Sequence, residues 1–80
     1  MTEYHRILKS TDEHNAGWRL RVSFDVEDPG EIEIAEEVVH PEQAENPDAR
    51  HKRHNARMIL VEHEVRWLHA QLGEWLANRK

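Results

Sequence analysis

Two spacings of hydrophobic residues divide this chain. Trp18, Leu20, Val22, Phe24 and Val26 alternate with Arg19, Arg21, Ser23 and Asp25. Strict period two with one apolar face marks a half-buried antiparallel strand. Ile32 and Ile34 alternate with Glu31 and Glu33 in the same way, and Asp28-Pro29-Gly30 between the two runs reads as a turn. Proline presets φ at its first central position and glycine accepts positive φ at its second. Folding about Pro29 would place Val26 opposite Ile32 and Phe24 opposite Ile34, all on one face. Tyr4 to Leu8 forms a shorter strand candidate, set off by the polar stretch Ser10 to Gly17. Further on the period changes. Met58, Val61, Val65, Leu68, Leu72 and Trp75 recur in steps of three and four, which is one face of a helix. Strands are thus predicted at about 4–9, 18–27 and 31–39, a linker at about 40–48 and a helix at about 49–78. Asn46-Pro47-Asp48 supplies a helix-start signal, and firm helix is expected from about Ala56. The expected fold is one α+β domain. A small antiparallel sheet of about three strands is packed by one long C-terminal amphipathic helix, in the order β-β-β-α. Trp18, Leu20, Phe24, Ile34, Val65, Leu68 and Leu72 form the expected core.

On that helix Leu60 and Trp67 would stand two turns apart on one line, nearly opposite the Val65–Leu68–Leu72 face. His63, Glu64 and Gln71 lie beside them. A helix with two apolar faces has more to bury than its own sheet. Leu60, His63, Glu64, Trp67 and Gln71 are therefore the expected dimer interface; the plainer reading covers Trp67 with loops of the same chain. With 80 residues and no cysteine, a single core supplies only roughly 3–5 kcal/mol, and oligomerisation is the common remedy. A homodimer is the expected state. The order of strands before a single helix resembles the single-stranded DNA-binding transcriptional coactivator fold, in which the helix dimerises. The tail Leu72-Gly73-Glu74-Trp75-Leu76-Ala77 with Arg79 is similar to the end of the dimerisation domain of the actinobacterial nucleoid-bridging proteins. That likeness covers a short stretch and lacks their DNA-binding tail.

Charge is segregated beneath a formal total of −5. Asp25 to Asp48 holds ten acids and no Lys or Arg, whereas Ala49 onward holds seven bases and three acids. An acid-rich edge strand that resists aggregation is the plain explanation. A contact surface for a basic partner is the functional one, with Glu31, Glu33, Glu36 and Glu37 as its expected partner-binding residues. The nucleic-acid alternative uses Arg6, Arg19, Arg21 and the Arg50–Arg57 cluster, with both strand arginines on the outer face of the sheet.

Other chemistry finds little support. His51 and His54 would share a helical face near Glu45 or Asp48, but two ligands fall short of a zinc site, so no metal is expected. Ser10 and Ser23 sit in no nucleophile elbow, and no glycine-rich phosphate loop exists. No catalytic residue and no cofactor are expected, and a small metal-dependent enzyme is the weakest reading. No apolar run approaches the roughly 20 residues that cross a bilayer, and the Met1–Tyr4 start carries no signal peptide, so no membrane role and a cytoplasmic location are expected. The absence of cysteine fits a reducing compartment. The expected function is a small non-enzymatic protein-binding or regulatory module with an acidic surface that meets a basic protein partner. A phage-encoded inhibitor of a host protein fits that size and composition.

Overall fold

The computed structural model describes residues 3–49 and 53–79, with the backbone alone at 53–55. Four strands follow one another: β1 Glu3–Lys9, β2 Trp18–Asp25, β3 Ile32–Val38 and β4 Arg53–Leu60. Each pairs antiparallel with its sequence neighbour in the order β1-β2-β3-β4. One helix, α1, runs over Glu62–Ala77. The α+β class with a small antiparallel sheet and one C-terminal helix is as expected.

Three features differ from the reading of the sequence. First, 53–60 is a strand. The helix begins at Glu62, not near 49, and the sheet gains a fourth member. Ala56, Met58 and Leu60 alternate with Arg57 and Ile59, less strictly than β2 because Ile59 is apolar, and Met58 and Val61 also fit helical steps. A short apolar run satisfies both periods. The free edge of β3 decides it, because its backbone groups gain partners from β4, with Ile32 opposite Leu60 and Ile34 opposite Met58. Asn46-Pro47-Asp48 then serves as a turn: the Asn46 side chain accepts from the Asp48 N–H at 3.0 Å. The chemistry that caps a helix also closes an Asx turn.

Second, the β2–β3 register is shifted by two residues and the connection is longer than the expected turn. Val22 lies opposite Ile34 and Leu20 opposite Glu36. The connection is therefore a six-residue loop over 26–31, with Gly30 outside the positive-φ region. A shift of two preserves the face, so the apolar alternation survives.

Third, the expected core does not assemble. The face bearing Trp18, Leu20, Val22 and Phe24 also carries Tyr4, Leu8, Ile34 and Met58 by register. It is not roofed by α1. No strand has an extensive contact with the helix, and Leu20 and Leu72 are exposed. Trp18, Phe24, Ile34, Val65 and Leu68 are half-buried. The buried apolar residues lie on the other side: Ala35 in β3, and Val39, Ala44 and Ala49 where the 39–49 segment folds over the sheet.

Gly17 holds that segment in place. It is the one described residue with positive φ, 91°. Its carbonyl accepts from the Val39 N–H at 2.8 Å. A Cβ there would stand 2.2 Å from the Val39 carbonyl oxygen. Gly17→Ala therefore meets both a left-handed backbone and a backbone clash. We expect it to cost at least about 2 kcal/mol, read as a lower denaturation midpoint at unchanged slope.

Candidate interaction surfaces

On the covered face of the sheet, alternate residues of β2, β3 and β4 bring five charged side chains into one row. Arg19 Nε donates to Glu37 Oε1 at 3.0 Å. Arg21 grips the same carboxylate with two donors, Nε to Oε1 at 3.0 Å and Nη2 to Oε2 at 2.9 Å. Its Nη1 lies 2.7 Å from Glu33 Oε1 and donates to Ser23 Oγ at 2.7 Å. Arg57 Nε pairs with Glu33 Oε2 at the β4 edge. His5 Nδ1, from β1, lies 2.8 Å from Ser23 Oγ. The row alternates in sign from Arg19 to Arg57, so each charge faces its opposite.

Burial makes this row strong. Glu37 is 1% exposed and Arg19 3%. Two-donor arginine contact favours the carboxylate over the neutral acid. The hydrogen bond from Arg21, opposed by burial and assisted by Arg19, pulls the Glu37 carboxyl from an ordinary 4.5 down to about 2. Burial works against ionised Glu33, yet the hydrogen bonds from Arg57 and Arg21 outweigh it and hold that carboxyl below its usual range. The Glu37 contact raises Arg21 above its ordinary value. Arg19 extends the row into the loop above. Its Nη1 donates to the carbonyls of Ala44 at 3.0 Å and Asn46 at 2.6 Å, and more distantly to Gln43 at 3.4 Å. Its Nη2 reaches Pro47 O at 3.5 Å. The guanidinium thus supplies donors to a loop whose backbone carbonyls have been taken out of water.

This geometry corrects both charge-based expectations. Glu31, Glu33, Glu36 and Glu37 do not form one surface. Glu33 and Glu37 are spent on arginines inside the fold, Glu36 lies exposed on the opposite face of the sheet, and Glu31 lies exposed in the 26–31 loop. For the same reason Arg19 and Arg21 are withdrawn from solvent, and Arg57 is paired. Neither Arg50 nor the side chain of Arg53 is among the described parts. Arg6 stands in the open, its Nη1 donating to the His5 carbonyl at 2.9 Å and its guanidinium carbon 4.0 Å from the Tyr4 ring centre. Tyr4 in turn stacks on Phe24 with centroids 4.5 Å apart.

The acids that keep their charge for an outside partner gather at the β2–β3 end. Asp25, Glu27, Asp28 and Glu31 have no cationic partner among the described residues, and Glu3 pairs across the sheet with Asp25. Asp25 Oδ1 accepts from the Glu27 N–H at 2.9 Å, which turns the loop back on itself. Elsewhere Lys9 holds the exposed Glu45 carboxyl below its ordinary range.

Of the expected dimer residues, four meet. Leu60 closes β4, and His63, Glu64 and Trp67 come from the first turns of α1. With Met58 and Leu68 they line one hollow in the angle between sheet and helix. Gln71 lies farther along and is exposed. Leu60 is not on the helix, so its alignment with Trp67 arises from the bend at Val61. Glu64 also accepts from the Val61 N–H at 2.9 Å, the return half of a capping box, while the valine side chain offers no acceptor to the first turn of the helix. The hollow was partly legible because both its walls are apolar; the arginine row was not, since alternation alone does not say which face is covered.

His51 and the His54 side chain lie outside the described parts, so the two-histidine pairing has no geometry here. Among the described residues no group of three metal-ligating side chains converges. No described helix is long and apolar enough to cross a membrane. No known protein family, curated protein or solved structure matches the chain.

Proposed function

We propose that this protein is a small non-enzymatic protein-binding module that meets a basic partner through the carboxylates of the β2–β3 loop. The observation that carries this reading is the sorting of the acids. Glu33 and Glu37 on the covered face are neutralised by Arg19, Arg21 and Arg57, while half-buried Asp25 at the end of β2 and the exposed Glu27, Asp28 and Glu31 of the loop stand together at one end. Carboxylates on a protruding loop steer a positively charged partner and set its orientation. A phage-encoded inhibitor of a host protein is one form such a module takes, and regulation in a cytoplasmic setting is another.

A triple substitution, Glu27→Lys, Asp28→Lys and Glu31→Lys, tests the reading without touching the fold. Wild-type and substituted proteins serve as baits in a lysate of the native host, followed by mass spectrometry. A basic protein held by the wild type and lost, at least about tenfold, from the substituted bait is expected. Equal retention by both baits would refute the loop as the contact. Arg6, Tyr4 and Phe24, stacked on an open sheet face, favour a second reading, single-stranded nucleic-acid binding. Salt-dependent retention on single-stranded DNA that is lost with Arg6→Ala would establish it instead.

A further inference from the structure

The sheet and the helix each present an apolar face that this chain leaves uncovered. On the sheet, Leu8 is 70% exposed, and Leu20 and Met58 are also open to solvent. On the helix, Leu72, Trp75 and Leu76 are more than half exposed. Val65 and Leu68 begin the same stripe. Beyond the first turn of α1, where Val65 shares a hollow with Phe24 and Ile32, the two faces do not pack on one another, and no strand has an extensive contact with the helix. A single residue, Val61, separates the end of β4 from the start of α1, shorter than the roughly two to six residues usual for such a connection.

The surface area gives the size of what is missing. The chain exposes 6549 Å², whereas a compact monomer of 9.5 kDa exposes about 5,000 Å². The radius of gyration is 14.1 Å, against about 12 Å for a compact chain of this length. Covering the excess on two copies would bury about 3,000 Å² in total, within the range of obligate homodimers. Among the described residues the buried apolar ones are one valine and three alanines, too little to hold a domain alone.

We propose that the occupant of both faces is a second copy of this chain, with α1 of each protomer lying across the open sheet face of the other. The exchange is reciprocal and closed, so each apolar stripe finds one sheet and no further copy can add. Val61 is the hinge that sends the helix outward. The hollow of Met58, Leu60, His63, Glu64, Trp67 and Leu68 then lies where the exchanged helices leave their own sheets. The charged β2–β3 loop takes no part, so this proposal stands or falls apart from the acidic contact above.

Sedimentation equilibrium of the full chain, joined to cross-linking, tests it. The chain contains no cysteine, so introduced thiols report without background. Wild type should be a dimer at low micromolar concentration, and Leu20→Glu or Leu72→Glu should each weaken it by about thirtyfold or more. Leu20→Cys and Leu72→Cys proteins, refolded together and treated with a short bismaleimide, should give a mixed dimer about tenfold faster than either protein alone. Because a buried glutamate can unfold the chain outright, the cysteine pair carries the test independently. A wild type that stays monomeric at high micromolar concentration overturns the proposal. So does self-cross-linking of Leu72→Cys without the mixed product, which would mean helix against helix with both sheets left open. A Leu20→Glu dimer as tight as wild type overturns it as well.

Discussion

Replacing Arg19 by Ala should cost about 3–5 kcal/mol, the range for removing one partner of a buried ion pair. The substitution removes more than a charge. Glu37 loses one of its two arginines, and the buried carbonyl of Ala44 and the part-buried one of Asn46 lose a donor. The loss matches most of the net stability a small core provides, so the chain should be largely unfolded without denaturant. Arg19→Lys should rescue little. One ammonium cannot serve the Glu37 carboxylate and the loop carbonyls together, which the guanidinium does by its fixed fork. Circular dichroism against denaturant checks both variants. An Arg19→Ala midpoint equal to wild type would mean that the 43–47 segment holds itself in place.

Acid should destabilise this protein progressively between the unfolded and the folded titration points of Glu37. Glu37 titrates at about 2 in the folded chain and near 4.5 when unfolded. Between those values the unfolded chain binds more protons than the folded one, so stability falls as pH falls. The contribution, about 3 kcal/mol, is complete above the unfolded value and is lost as pH drops through the folded one. Glu33 is shifted in the same direction and adds to the slope. Stability measured by denaturation from neutral pH downward should therefore decline most steeply below about pH 4.5. In Glu37→Gln the starting stability should be lower and that decline shallower. An identical acid slope in Glu37→Gln would show that the arginine row is not what acid dismantles.

The strands of this fold were readable because alternation has a physical cause. Trp18 to Phe24 and Ile32 to Ile34 each place apolar groups on one side, and the structure keeps them there, while Val26 falls in the loop. Which side is covered was not readable. Arg19 and Arg21 sit on the polar side by pattern, yet they lie inside, because the 39–49 segment closes over them and Glu37 and Glu33 stand opposite. No local signal in β2 reports a partner eighteen residues away. The helix was found and its start was not. Met58 satisfies both periods, and the choice was made by a hydrogen-bonding edge on β3 that spacing does not encode. The acidic surface was half legible: ten carboxylates announce it, but only the row of arginines determines which of them remain free.

The meander has a consequence for the order of events in folding. Each strand pairs with the one before it, so β1, β2 and β3 join by closing short loops, which is the quick route for a sheet, and β4 adds across the longer 39–52 connection. The contacts of Arg19 with the 43–47 segment span 24 to 28 residues and can form only once β2 and β3 are in register. They belong to the last stage, after the barrier for the ladder. A contact made late leaves the rate of assembly alone and governs the rate of escape. Arg19 thus works as a latch: it does not help the sheet to form, and it sets how long the sheet stays shut.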